Sequence, residues 1–463
     1  MTVTPRLVRW GGLAGSVATA GTASLGGSGF ARAPSINPVT LLSGQRGVLL
    51  PILWVLGTAL LLAAWWTGRR TVPSTRWALV TAALWFLPVL PFLPLGSADV
   101  YSYACQGYVQ YAGGDPYAAG VARFGCPWLG SVASSWADSP APYGPLFLLL
   151  ASWVVALAGD SLAGVVAGLR IVALAGVALV AAGVPAVARR CGIDPARAVW
   201  TVLACPLILI HLVSGAHNDA LMVGLILAGL ALAAARPPLA GLVAAGAVLG
   251  LAVGVKVTAI VVVPFAVLAA LPGTGRRPVR ELLRPAGAIG GGALLVTVAL
   301  SAVSGRGAGW VTGLARSGDT VAWTSPSTAV GLTIDAVTGA DAVPVTRVAG
   351  VVLLAVALVA LWWRAWGRGD PLGHAGLALA ATVLCAPVFH PWYATWPLAV
   401  LAAARAENRW TLGLCAFAAM LTTPAGYNWA LYTRVPGAFV VTAALVALAV
   451  VAVRGRRARR VIA

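Results

Sequence analysis

Apolar residues run along this chain in blocks of around 20, broken by short polar punctuation. Such blocks are long enough to cross a hydrocarbon core about 30 Å thick as helices. Blocks fall near residues 8–28, 47–67, 75–95, 162–188, 196–215, 217–235, 239–255, 257–272, 285–304, 346–366, 371–389, 393–405, 410–424 and 437–453. The pattern predicts an all-α polytopic membrane protein of about 14 transmembrane helices. A shorter apolar run, 143–159, follows Tyr143-Gly144-Pro145 and is read as lying at the outer interface or re-entering. The first block could instead be a signal peptide, since Ala31-Arg32-Ala33 follows it. A retained span is favoured, because Pro34 follows the would-be cleavage site and Arg6 and Arg9 precede the block.

Composition agrees with the pattern. The chain is 60% hydrophobic and 9% charged, with a mean hydropathy of +0.90, whereas soluble domains carry about 25% charged residues. The net charge of +19 does not mark a nucleic-acid binder, because the arginines cluster in short loops between apolar blocks. Those clusters (Arg69-Arg70 with Arg76, Arg189-Arg190, Arg236, Arg276–Arg284, Arg364–Arg368, Arg405–Arg409 and Arg454–Arg460) mark cytoplasmic ends. The same rule turns 96–142 and 305–345 outward. The chain reads as one membrane domain over 1–463, with a first outer loop that extends with its interfacial helices over 96–161 and a second at 305–345. Six cysteines show no metal-type spacing. Cys105 and Cys126 share the first outer loop and form a disulfide only if that loop meets an oxidising compartment.

Polar residues gather at the predicted outer helix ends. Asp99 lies just past a block with no charge after Arg76, and Tyr101 to Tyr111 reads as a short amphipathic helix at the surface. A carboxylate there is placed to take a proton from a substrate hydroxyl, and a helix N-cap is the competing role. The first loop holds six of the nine tyrosines, Tyr101, Tyr103, Tyr108, Tyr111, Tyr117 and Tyr143, together with Trp128 and Trp136. An interfacial aromatic belt accounts for part of that set. Asp115-Pro116-Tyr117 and Asp138-Ser139-Pro140 are turn sequences taken alone.

His217-Asn218-Asp219 puts three strongly polar side chains between two apolar blocks, which suggests a polar cavity or a capped turn. Lys256 is the only lysine and interrupts an apolar stretch with no counter-ion nearby in sequence. It is read as a phosphate partner or as snorkelling to headgroups. His390-Pro391-Trp392-Tyr393 repeats the polar-aromatic theme, and Arg316, Asp319 and Trp323 in the second loop are further pocket candidates. His211 and His374 are read as structural. No Walker loop, dinucleotide fingerprint, zinc-protease helix or nucleophile elbow is present in a credible context. The lack of a nucleotide site on a soluble domain argues against a nucleotide-sugar donor and fits a lipid-borne one.

Taken in order, Gly-Ser-Ala-Asp99-Val-Tyr-Ser-Tyr, Gly-Gly-Asp115-Pro-Tyr, Ser139-Pro-Ala-Pro-Tyr143-Gly-Pro, Gly-Ala-His217-Asn-Asp-Ala-Leu-Met, Gly-Val-Lys256 and His390-Pro-Trp-Tyr resemble the polyprenol-phosphate-mannose-dependent α-1,6-mannosyltransferases of actinobacteria. These belong to the GT-C glycosyltransferase class. The resemblance implies a GT-C-type helical bundle in the plasma membrane with its active site on the outer face. It implies a polyprenyl-phosphate-mannose donor, a lipid-linked mannan acceptor, and an α-linked product formed with inversion. The class has a seven-helix core, and the blocks from 75–95 to 285–304 number seven between the corresponding loops.

On this resemblance Asp99 is the catalytic base. Lys256 and His390 are expected to face the phosphate, and His217 and Asp219 to contact sugar or acceptor. Tyr101, Tyr103, Asp115, Tyr143, Asn218, Trp392 and Tyr393 are expected to line the substrate site. Many members of the class carry a second acidic residue directly after the first. Val100 stands there in this chain, so no metal and no other cofactor is expected. A flippase or transporter of lipid-linked sugars is the rival reading, but transporters gather polar residues at the midplane, and here they gather at one face.

Overall fold

A computed structural model describes residues 4–29, 47–273, 278–315, 321–405, 408–426 and 429–462. Ala31-Arg32-Ala33, Pro34, Arg276, Arg316 and Asp319 lie outside the described residues, Arg316 and Asp319 with the rest of 316–320. The described chain is helical, without β-strands. In chain order the helices used below are α1 (Pro5–Thr22), α2 (Leu49–Gly68), α3 (Thr75–Phe86), α4 (Asp99–Tyr111), α5 (Pro145–Ala158), α6 (Leu162–Arg190), α7 (Pro195–Leu203), α8 (Asp219–Ala234) and α9 (Leu239–Val255). They continue with α10 (Val263–Ala269), α11 (Val279–Val303), α12 (Pro326–Thr338), α13 (Val343–Arg368), α14 (Pro371–Cys385), α15 (Thr395–Ala404), α16 (Arg409–Leu421) and α17 (Arg434–Ile462).

Every apolar block found in the sequence coincides with a helix or a pair of helices. Among the described residues, five helices are long and apolar enough to cross a membrane: α2, α6, α11, α13 and the apolar part of α17. A sixth arises if α7 and the π-helical turn Ile208–Ser214 count as one span bent by 68°. Pro206 stands at that break, where it denies the helix an amide donor. The other apolar blocks form shorter helices. The 143–159 run is helix α5, 14 residues and about 21 Å long at 1.5 Å per residue, short of the hydrocarbon thickness.

Outer and central helices differ in what they face. On α13 and α17 large apolar side chains such as Val345, Val359, Val446 and Val451 stand exposed, as expected of surfaces that meet lipid. The central helices α8 and α15 are buried along most of their length, and α6 and α9 along about half. Helix α1 is an integral part of the bundle. A Cβ on Gly15 would come within 2.9 Å of the Gly57 carbonyl oxygen on α2, so small residues let the two backbones touch. Trp85 of α3 donates its indole N–H to the Arg9 carbonyl at 2.8 Å.

Helix α4 begins where the sequence predicts an amphipathic surface helix, but it is not at the surface. All residues from Asp99 to Gly107 are buried. Gly107 permits this, since a Cβ there would collide with the backbone of Ala151 on α5. Cys105 and Cys126 form a disulfide with Cα atoms 5.5 Å apart, tying the outer loop to α4.

Candidate active site

The approach to Asp99 is built by backbone tethers. Gly96, at φ +75°, donates its amide to the Pro424 carbonyl at 2.8 Å. The Leu95 amide donates to Ser214 Oγ at 3.0 Å. The buried guanidinium of Arg170, from the middle of α6, donates to the carbonyls of Leu90, Phe92 and Ser214 at 2.8–2.9 Å. One arginine thereby holds the strap before Asp99 against the π-helical turn before His217. Nothing in the sequence reading singled out Arg170. Its position in mid-helix, remote from the arginine clusters, was the available signal.

Asp99 does not cap its helix with its side chain. Ser97 Oγ accepts the Asp99 amide N–H at 3.1 Å instead. The carboxylate faces inward: Trp136 Nε1–H donates to Oδ1 at 3.1 Å, and Oδ2 lies 4.0 Å from His217 Nδ1. Trp136, one of the residues assigned to an interfacial belt, thus holds the candidate base. Burial pushes the Asp99 carboxyl up to about 6, a rise limited by the nearby Lys256 charge and by the Ser97 and Trp136 hydrogen bonds.

His217 follows Ala216, a non-glycine residue at φ +53°, a left-handed conformation that costs about 1–2 kcal/mol. The distortion is repaid in position. His217 Nδ1 shares a hydrogen bond with the Tyr103 hydroxyl at 3.1 Å and lies 3.8 Å from Asp219 Oδ2, between two carboxylates. Asn218 and Asp219 do not cap α8 with their side chains either. Asp219 Oδ1 receives Lys256 Nζ at 3.0 Å and Trp396 Nε1–H at 2.7 Å.

Lys256 therefore has a counter-ion, supplied by the facing helix α8, and it is buried rather than snorkelling. Its ammonium also lies 4.4 Å from the Tyr393 ring centre and 5.0 Å from that of Trp396. The lysine reaches this place because α9 ends beside the start of α5. The Gly144 amide donates to the Val255 carbonyl at 2.9 Å, and a Cβ on Gly144 would overlap the Gly254 carbonyl. The same contact sets Tyr143 against Tyr103, with ring centres 5.1 Å apart.

Trp392 forms the remaining wall. Its ring lies 4.0 Å from that of His217 and is stacked parallel on His390 at 4.6 Å. Burial and the Lys256 charge push His390 down to about 4. The imidazole is neutral near pH 7 and can serve a phosphate only as an N–H donor. His211, read from the sequence as structural, has its Nε2 3.1 Å from Thr422 Oγ1 and its ring 5.7 Å from that of His217. It belongs to the cluster's inner shell of aromatic rings.

Not every expected residue converges here. The Tyr101 hydroxyl donates to the Gly29 carbonyl at 3.0 Å, behind α4. Asp115 Oδ1 accepts the Tyr117 amide at 2.9 Å in a turn, and Tyr117 in turn donates to the Tyr143 carbonyl. Both serve the frame among the described residues. Trp323 donates to Thr433 Oγ1 and packs on Phe417. Trp396, which the sequence reading passed over as part of a span, contacts Asp219 directly.

Several polar atoms of the cluster are buried without a partner among the described residues: His217 Nε2, Asp219 Oδ2, both amide atoms of Asn218, His211 Nδ1, and on α4 Ser102 Oγ and both amide atoms of Gln106. Each costs about 1–3 kcal/mol if left unpaired, a cost that a polar ligand bonded to them would relieve. Among the described residues no group of three or more His, Cys, Asp or Glu is placed to hold a metal ion.

The cluster occupies one end of the bundle. The arginine-rich ends lie opposite: Arg190 reaches the Ala234 carbonyl at the far end of α8, and Arg405 follows the far end of α15. A cavity of about 160 Å³ opens there beside Arg197 and Arg405. Two of its polar groups are engaged, Asp194 capping α7 and Arg405 bonded to Asp370, whereas the buried polar atoms without a partner among the described residues include those of His217, Asn218 and Asp219 at the Asp99 end.

Comparison with known proteins gives the same direction. Residues 9–272 match the N-terminal domain model of the α-(1→6)-mannopyranosyltransferases, and 324–453 match the MptB C-terminal domain. The chain is 36% identical to α-(1→6)-mannopyranosyltransferase A of Mycobacterium tuberculosis over 423 residues, 85% of this chain and 80% of that protein. It is 30% identical to α-(1→6)-mannopyranosyltransferase A of Corynebacterium glutamicum over 442 residues, 87% and 88% of the two chains. No solved structure matches. With the bundle, the buried carboxylate cluster and these matches in agreement, the chain belongs to the actinobacterial α-(1→6)-mannopyranosyltransferase family and is a membrane mannosyltransferase.

Proposed function

We propose that this enzyme transfers mannose from polyprenyl-phosphate-mannose to a 6-hydroxyl of a lipid-linked mannan, with inversion, on the outer face of the plasma membrane. The observation that carries the reading is the place of Asp99. It is a buried carboxylate with one oxygen held by Trp136 and the other directed toward His217, at the end of the bundle opposite the arginine clusters. Arginine-rich ends face the cytoplasm, which supports an outer site, and the short apolar helices support a count of about 14 membrane-crossing segments.

Asp99 draws the proton from the acceptor hydroxyl as that oxygen attacks the anomeric carbon, and the polyprenyl phosphate leaves. Raised to about 6, the carboxyl is a stronger base than an exposed aspartate yet remains ionised at pH 7. Lys256 is the cation nearest the cluster and offsets the charge that builds on the leaving phosphate. Asp219 and Trp396 orient that ammonium, and Tyr103 sets the His217 ring beside the base. Tyr143, Trp392 and Tyr393 supply ring faces of the kind that pack on sugars.

The test uses purified protein in lipid with radiolabelled polyprenyl-phosphate-mannose and short α-1,6-mannosides. Chain extension by α-1,6-linked mannose is expected. Movement of the intact lipid-linked sugar across the bilayer with no new glycosidic bond would replace the transferase reading by a flippase.

A further inference from the structure

Helix α4 carries more than the base. Asp99, Tyr103, Gln106 and Gln110 recur at i, i+4, i+7 and i+11, which places them on one face. The two ends of that face are engaged. Tyr103 meets His217, while Gln110 donates to the Ser304 carbonyl at 2.8 Å and accepts from Arg306 Nε at 3.0 Å, at the start of the second outer loop. Between them Gln106, 1% exposed, has neither its amide nitrogen nor its amide oxygen bonded among the described residues, and Ser102 Oγ, one turn nearer Asp99, is in the same state.

A buried carboxamide with both ends unpaired is among the more expensive neutral arrangements a core can hold. A chain that needed only packing would place leucine there. A carboxamide offers one acceptor and two donors side by side, which matches two neighbouring hydroxyls of a hexose. Seven residues of helix put Gln106 about 10 Å from Asp99 along the axis. That lies beyond the sugar whose hydroxyl meets the base, and within reach of the next sugar in the chain. The direction also fits, since the face runs from the base toward the second outer loop. Gln106 is buried as Asp99 is, and binding of an acceptor at either needs the face between them uncovered.

We propose that Gln106, assisted by Ser102, binds the acceptor glycan at the mannose next to the one being extended, and so sets the preference for an already elongated acceptor. This rests on the transferase reading above and deepens it. The discriminating variant is Gln106→Leu, which keeps the volume and removes the amide. Three readouts are compared with the unmodified protein: binding of α-1,6-mannotriose to the purified protein without donor, KM for a monomannoside against the trimannoside, and thermal stability.

About tenfold weaker trimannoside binding and a matching rise in its KM are expected, the worth of one or two hydrogen bonds. The monomannoside and donor KM values should stay unchanged, and Tm should rise because an unpaired polar group has gone. Equal losses for both acceptors together with a lower Tm would show that Gln106 serves the fold and overturn the proposal. Unchanged trimannoside binding in a folded variant would overturn it too. Should Gln106→Leu not fold, Gln106→Ala is read by the same criteria except for Tm, which the vacated volume would lower. Absence of any transfer by the unmodified protein would instead defeat the transferase reading, and the donor-free binding measurement keeps the two failures apart.

Discussion

The two ends of the bundle each hold an aspartate, a cation and a histidine, and they use them differently. At the arginine-rich end Asp370 accepts Arg405 Nε at 2.8 Å and Nη2 at 2.7 Å, caps α14 at the Gly373 amide, and has His374 nearby, bonded to its carbonyl. Both charged side chains are about a third exposed. At the other end Asp219, Lys256 and His217 are buried, and Asp219 Oδ2 and His217 Nε2 have no hydrogen-bond partner among the described residues. The first set is chemically complete and closes a helix end. The second is incomplete at high cost, and incompleteness under burial distinguishes a site from a brace.

The sharpest break in this comparison is Asp99→Asn. Removing the general base should lower kcat/KM by about 10²–10⁴-fold while circular dichroism and detergent-stable yield stay unchanged; undiminished turnover would remove Asp99 from the mechanism. The same group gives a pH signature. A carboxyl raised to about 6 must lose its proton to act, so kcat/KM should fall as pH drops through about 6 and level off above it. An acid limb near 4 would mean that Asp99 is hydrated in the working enzyme.

Lys256→Ala comes next. It strands Asp219 in the interior, and breaking a buried pair from one side costs about 3–5 kcal/mol. A clear drop in Tm should accompany weaker use of the polyprenyl-phosphate donor, with acceptor KM less affected. Equal effects on both substrates would deny the lysine its phosphate role. The smallest effect is expected at the other end. Asp370→Asn loses an ion pair about a third exposed, worth about 0–1 kcal/mol, and retains the capping geometry, so transfer should match the unmodified enzyme. Lost activity there would mean that the two ends are coupled.

Much of this site could be read from sequence because its residues are polar where the surroundings are not. Asp99, His217-Asn218-Asp219, Lys256 and the His390–Tyr393 run stood out as polar interruptions at block ends, and all of them meet at one end of the bundle. Trp136 and Trp396 were hidden, since a tryptophan is equally at home in an interface belt or a span, and only the carboxylate facing it reveals its N–H as used. Gln106 and Arg170 were hidden for a related reason: a single polar residue in a helix is silent until its neighbours show whether it is satisfied. Tyr101 and Asp115 stand apart from that group: their motif neighbours are at the cluster, while the Tyr101 hydroxyl bonds the Gly29 carbonyl and Asp115 bonds the Tyr117 amide.

What the sequence determined by itself is the solvent of this protein and the periodicity of its helices, since hydropathy and block length are local quantities that need no fold to be evaluated. The partners of each charge were decided only in three dimensions. Lys256 and Asp219 are 37 residues apart, and Asp219 and Trp396 are 177 apart. Their meeting depends on where glycines such as Gly144 and Gly254 let helix ends touch, a matter of packing volume that no linear pattern contains.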